Sequence, residues 1–274
     1  MSRHQENLDD DQVAERVRLR SPQVYEVVRV EGEDELERPA DALVLSGIAA
    51  GLAMGSSVCG VAFLSEALEG VKARGALVPL GYTFGFLIVI LGRFQLFTEN
   101  TITAILPLLR APTWSMLLKT GRLWGLVFGA NLVGTFGFAL FTVLGGMFGA
   151  EGTEAIVEAS ARILDLEMKD TLLRAIPAGF LVAAIVWMLP SAETSKALVI
   201  IVLTYLIGLG HLSHVIAGSA ELFVLVLVGR IDLGTAIAHH LVPSLVGNIL
   251  GGTGLFSLLA HGQVVRELED GDAG

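Results

Sequence analysis

Apolar residues along the chain gather in long runs, and two of these runs are too long, and too polar at their centres, to be single helices. The first extends from Leu77 to Leu109. As one α-helix its roughly 33 residues would reach about 50 Å, against a hydrocarbon core of about 30 Å. Its centre reads Leu96-Phe97-Thr98-Glu99-Asn100-Thr101, which puts a carboxyl, an amide and two hydroxyls where a bilayer solvates them least. A span broken at Leu96–Thr101 accommodates both facts, because irregular backbone is tolerated at membrane depth where it lines a cavity. The second run, Ala197 to Val228, behaves alike: His211, Ser213, His214, Ser219 and Glu221 sit among glycines at its middle.

Four simpler spans are expected, at about 42–64, 123–147, 175–189 and 236–260, with an acidic, polar stretch without a span between Phe148 and Asp170. The first carries Gly47, Gly51, Gly55 and Gly60 at helical spacing, which suits close helix packing. Arg110, Pro112, Lys119 and Arg122 read as a connector before the third span. Spans three and six share a small-Asn-apolar-apolar-Gly pattern, Ala130-Asn131-Leu132-Val133-Gly134 and Gly247-Asn248-Ile249-Leu250-Gly251, while spans two and five share the polar break. The expectation is therefore an all-α membrane protein of six transmembrane helices in two inverted three-helix repeats, with helices two and five broken. Three parts follow: an N-terminal tail over 1–40, mostly solvated with one short amphipathic helix, a transport domain over 41–261, and a C-terminal tail over 262–274. Arg16, Arg18, Arg20, Arg29, Arg38, Arg110, Lys119, Arg122, Lys196 and Arg266 fall on one face, against Lys72, Arg74, Arg162, Lys169, Arg174 and Arg230 on the other, and this bias predicts both termini in the cytoplasm of a multi-pass plasma (inner) membrane protein.

Composition agrees with a bilayer as the surrounding medium: 53% of the 274 residues are hydrophobic and 17% charged, and the mean hydropathy is +0.67. The net charge of −10 resides in the tails and the 151–170 segment, and no basic, aromatic-interleaved patch exists to bind nucleic acid. The single cysteine, Cys59, leaves no route to an intrachain disulfide or a cysteine metal site. His239 and His240 have no carboxylate near them at metal spacing, so no metal and no cofactor are expected.

The motifs resemble those of the formate/nitrite transporters. LFTENT resembles the Leu-Phe-Thr-Ser loop of that family's broken second helix, GHLSHVIAGS its histidine loop in the fifth, and VPSLVGNILGG its final-helix signature. The resemblance implies an aquaporin-like protomer, a homo-pentamer with one pore per protomer, and passage of small monovalent anions such as formate or nitrite. It also implies that His214 exchanges protons with the permeating anion between apolar constrictions, for which Leu96, Phe97, Tyr82, Phe86 and Ile207 are the candidates. Glu99 stands where many members have serine, and Ser213 where many have an acid. The fourth span gives Gly179 where the family has asparagine, and Lys169 is the candidate for its basic vestibule residue.

From the residues themselves, His214 is either a pore group or a structural histidine bonding loop carbonyls, and in a dry constriction an arriving anion would favour its cationic form. Thr98 can donate its hydroxyl to an anion or to His214, or cap the second half-helix. Glu99 and Asn100 complete the polar set, with Glu99 either facing the pore or paired with Arg93. His211 shares a face with His214 only if the backbone there is helical. An enzyme is not expected, since Ser213 beside His214 is the only hint of a catalytic pair. The alternatives are an aquaporin-like channel for water or neutral solutes, whose Asn-Pro-Ala caps are absent, and a non-conducting membrane subunit.

Overall fold

The computed structural model describes residues 19–272, so the part of the expected tail before Leu19 lies outside the described residues, as do the last two positions. Every regular element among the described residues is helical. In chain order they are α1 (Ser21–Glu37), α2 (Ala40–Ala67), α3 (Arg74–Leu91), the short α4 (Asn100–Thr103) and α5 (Ile105–Arg110), α6 (Trp114–Val143), α7 (Gly149–Ala161), α8 (Met168–Met188), α9 (Lys196–Leu209), α10 (Val215–Leu227), and α11, continuous from Leu233 to Asp272.

Among the described residues, five stretches are long and apolar enough to cross a membrane: α2, α3, α6, α8 with its continuation to Ser191, and Leu233–Glu267 of α11. The halves α9 and α10 have 14 and 13 residues, about 20 Å each, so neither crosses alone. The two long runs are interrupted at 92–99 and 210–214; the first break overlaps the expected Leu96–Thr101 but begins four residues earlier, and Asn100 and Thr101 already lie in α4. Each first half ends in the same way. Arg93 (φ 54°) and His211 (φ 48°) turn left-handed, and the next N–H reaches back five residues, Phe94 to Val89 and Leu212 to Ile207, each at 3.0 Å. His211 is therefore not on a helical face with His214.

Small residues set how the long helices cross. At Gly51 an added Cβ would lie 2.2 Å from the Asn131 carbonyl oxygen, and at Gly179 2.3 Å from that of Asn248; reciprocally, Gly134 faces Ile48 O at 2.3 Å and Gly251 faces Ile176 O at 1.9 Å. The α2–α6 and α8–α11 crossings are thus built alike, and Gly179 holds its place because only a hydrogen fits there. Two π-helical stretches in α11, Ala236–Leu241 and Leu250–Ser257, widen its turns; beside the second, Thr253 Oγ1 donates to Thr101 O at 2.7 Å.

The N-terminal segment departs from the solvated tail expected of it. In α1, Tyr25 and Val28 have 0% exposure and pack with Ile102, Leu106, Ala183, Val186 and Val264. Gly32 rides on the backbone of Thr103, where a Cβ would lie 1.9 Å from the carbonyl oxygen. The Tyr25 hydroxyl hydrogen-bonds His261 Nδ1 at 2.9 Å, tying the first described helix to the last. Lys119 and Arg122 belong to α6 and not to a connector: Lys119 pairs with Glu37, and Arg122 donates to Arg38 O.

Two asparagines hold the breaks in place. Asn131 Oδ1 accepts the Phe97 N–H (2.9 Å), and its Nδ2 donates to Gly47 O (2.9 Å) and Gln95 O (2.8 Å). Asn248 Oδ1 accepts the Val215 N–H (2.9 Å), and its Nδ2 donates to Ala175 O (2.8 Å) and Ser213 O (2.9 Å). Removing either amide leaves a buried N–H and two carbonyls short of a partner, at about 1–3 kcal/mol per unsatisfied group. Asn131→Ala and Asn248→Ala should each cost about 3 kcal/mol and lower the melting temperature in detergent. An unchanged melting temperature in either variant would mean that the break supports itself.

Candidate functional site

The two breaks meet at one hydrogen bond, Thr98 Oγ1 to His214 Nε2 at 2.8 Å, with both residues buried. His214 is the N-cap of α10: its backbone is extended, and its Nδ1 accepts the Ala217 N–H at 3.2 Å. With Nδ1 accepting, the neutral ring carries its proton on Nε2 and donates it to Thr98 Oγ1. The Thr98 hydroxyl hydrogen is then left to be offered to a passing acceptor. Both sequence-based roles of His214 are present together, since the ring is at once a cap and the centre of the polar cluster. Thr98, by contrast, does not cap α4, whose N-cap is Glu99 without a side-chain bond. The loop folds onto itself instead, Thr101 Oγ1 donating to Thr98 O at 2.7 Å.

Apolar side chains seal the surroundings of this pair. The Phe86 ring stands edge-on to the His214 ring at 5.0 Å and contacts Tyr82 at 5.4 Å; Phe86, Leu96 and Ile207 are buried in one core cluster. Phe97 lies elsewhere. Its ring packs edge-on against Trp124 (5.6 Å) and Phe128 (5.0 Å) of α6, and it lines neither of the cavities described next.

A cavity opens on each side. The first, about 400 Å³, is lined by His214 itself together with Tyr82, Ile207, His211, Ser213, Glu221 and Ser244, and by Arg162, Asp165 and Arg174 from the 162–174 segment. Arg174 Nη1 donates to His211 O at 3.4 Å, and Arg162 approaches Ser65 Oγ at 3.5 Å. Lys169 is exposed and does not line this cavity; the basic groups there are Arg162 and Arg174.

The second cavity, about 380 Å³, lies against α1 and is lined by Glu31, Glu35, Arg93, Gln95, Glu99, Asn100, Thr103 and Lys196, among others. Arg93 pairs with Glu31 at 3.5 Å and not with Glu99. Glu35 accepts from Gln95 Nε2 (2.7 Å) and Arg38 (3.0 Å). Glu99 is left as the unpaired acid of this mouth, its Oε1 buried without a hydrogen-bond partner. Asn100 does not reach His214; its Nδ2 donates to Gln95 Oε1 (3.2 Å), and its Oδ1 accepts from Thr103 (3.1 Å). No group of histidines, cysteines and acids among the described residues could hold a metal ion.

Several contributors escaped the sequence-based list. Gln95, Glu35 and Ser46, whose Oγ accepts the Gln95 N–H at 3.0 Å, organise the second mouth, and no periodicity marks them. Arg162 and Arg174 lie in and just after a charged stretch, and nothing in the sequence sets them apart from its other charges. Asn131 and Asn248 carried a signal, their matched positions in spans three and six, which points to equal duties in two halves.

The family model described as Formate/nitrite transporter matches residues 22–262. Inner membrane protein YfdC of Escherichia coli (strain K12) is 41% identical over 263 residues, covering 96% of this chain and 84% of that protein. Among solved structures, a pentameric formate channel with formate bound superposes with a TM-score of 0.67 at 18% identity, over 83% of this chain and 98% of that one. An FNT family ion channel gives 0.66 at 19% identity, over 87% and 94%. By sequence over nearly its whole length, the chain belongs to the formate/nitrite transporter family, which comprises membrane transport proteins and not enzymes.

Proposed function

We propose that this protein moves small monovalent anions of the formate or nitrite type across the plasma (inner) membrane, each together with a proton. The observation that carries the reading is the buried Thr98–His214 hydrogen bond standing between two cavities. In a dry constriction a bare anion loses hydration without recompense, whereas a neutral acid loses far less, so a hydrogen-bonding pair set among apolar walls favours transfer of the protonated form. Phe86, Leu96, Tyr82 and Ile207 are the constriction in this proposal. Phe97 supports the loop from behind. His214, Thr98, Glu99 and Asn100 line the path or organise it, with Arg93, His211 and Lys169 as accessory residues away from the central pair. The half-helix starting at Val215 adds a positive dipole end that attracts anions without a fixed buried cation.

The proposal includes six spans in two inverted halves, an N-terminal segment over 1–40 whose helix α1 docks on the transport domain over 41–261, and a C-terminal tail over 262–274. The matched asparagine bonds and glycine crossings support two like halves. With both termini in the cytoplasm, the cavity holding Glu99 is the inner vestibule and the one holding Glu221 the outer. Homo-pentameric assembly is supported by the fold shared with a pentameric formate channel and by α6, where Gly121, Gly125 and Gly129 form a stripe with no atom packed near them.

Uptake of formate, nitrite, acetate, lactate and hydrosulfide into proteoliposomes tests the function; failure of all five would leave a non-conducting subunit. His214→Asn should fold and assemble, since asparagine can still cap α10, and its formate flux should fall below the parent's throughout external pH of about 5 to 8. Parent-like transport at both ends of that range would return His214 to a purely structural role. Mass measurement in mild detergent should give five copies, and monomers alone would contradict the assembly. Glu151→Cys and Glu267→Cys should label from opposite faces of intact cells; labelling from the same face would overturn the inverted halves.

A further inference from the structure

His214 is poorly placed to collect a proton from the outer cavity. Its Nδ1 lone pair is engaged by the Ala217 N–H and its Nε2 by Thr98, so the neutral ring has no lone pair open to that side without giving up the α10 cap. A carboxyl stands where such a group is needed. Glu221 lies seven residues after His214 on α10, about 10 Å along the axis and on the same face, with Gly218 between them; all three line the outer cavity. Among the described residues no side chain donates a hydrogen bond to the Glu221 carboxyl.

The other ionisable groups facing this cavity are Arg162 and Asp165 from the segment after α7, Arg174 from α8, Tyr82 from α3 and His211 from the second break. Two guanidinium charges, Arg162 and Arg174, oppose and balance the carboxylates of Asp165 and Glu221. A proton on Glu221 leaves this set positive by one. A cavity of this size holds a small carboxylate with several waters, so proton and anion can meet within it.

We propose that Glu221 couples proton capture to anion capture in the outer cavity, an inference that rests on the anion-transport reading above. Glu221 takes a proton from outer water, and the cavity, now positive, draws an anion to Arg162 and Arg174. The Glu221 O–H bond breaks as the anion's O–H bond forms. The neutral acid moves inward toward Thr98, and the carboxylate regains a proton from outside. One proton accompanies each anion, and no net charge crosses.

Initial rates of formate uptake into proteoliposomes, with internal pH fixed and external pH stepped over about 5 to 8, test this for the parent, Glu221→Gln and Glu221→Asp. In the parent, KM for formate should rise by about tenfold per pH unit above the carboxyl's titration. In Glu221→Gln it should stay within about twofold across the range while kcat falls, and Glu221→Asp should restore the slope. A glutamine variant that keeps the parent's KM profile overturns the proposal. A second readout separates its failure from that of the transport reading: proton uptake on adding formate to purified protein in weakly buffered detergent, followed with a pH indicator. Uptake in the parent and its loss in Glu221→Gln sustain the role of Glu221 even if the parent transports nothing. No proton uptake by the parent overturns it even if transport is robust.

Discussion

The structure depends on one constraint: a backbone that leaves helical geometry inside a bilayer must find partners for its N–H and C=O groups within the protein. Two side-chain amides meet that need. Asn131 and Asn248 each accept one loop N–H and donate to one loop carbonyl, and each also holds a carbonyl on a neighbouring long helix. The loops can therefore be irregular yet fixed. An asparagine is the shortest side chain with an acceptor and two donors in one plane, which explains why the same residue serves both sites.

Fixing the loops fixes the chemistry. Thr98 and His214 belong to different breaks, 116 residues apart, and each is held by its own loop before the two meet. Their hydrogen bond thus reports the relative position of the two halves. The glycine crossings at Gly51 and Gly179 bring the long helices close enough for the asparagines to reach, so a packing device sets the geometry of a polar site.

Much of this was legible in the chain. Run length and central polarity located both breaks, and the matched Asn131 and Asn248 patterns announced two like halves. The directions of side chains in the breaks were not legible, because irregular backbone has no period from which to infer a face. Phe97, beside Leu96 in sequence, turns into α6, and Arg93, six residues before Glu99, turns to Glu31 on α1. The docking of α1 was hidden for another reason. Its buried stripe of Val24, Tyr25, Val28, Gly32 and Leu36 has a glycine at its middle, where hydropathy shows nothing and close approach to Thr103 decides the contact.

The clasp between Tyr25 and His261 has a bearing on biogenesis. Its partners lie 236 residues apart, and Val264, one turn beyond His261 in α11, belongs to the same buried cluster as Tyr25. At roughly 5–20 residues per second of translation, α1 leaves the ribosome roughly 10 to 50 s before its full docking surface exists. Over that interval its apolar stripe can meet Ile102, Leu106 and Ala183 as they are made, but not the part of its seat that α11 supplies. The clasp therefore closes only once α11 has been made, so α1 is locked onto the protomer by the last of the described helices.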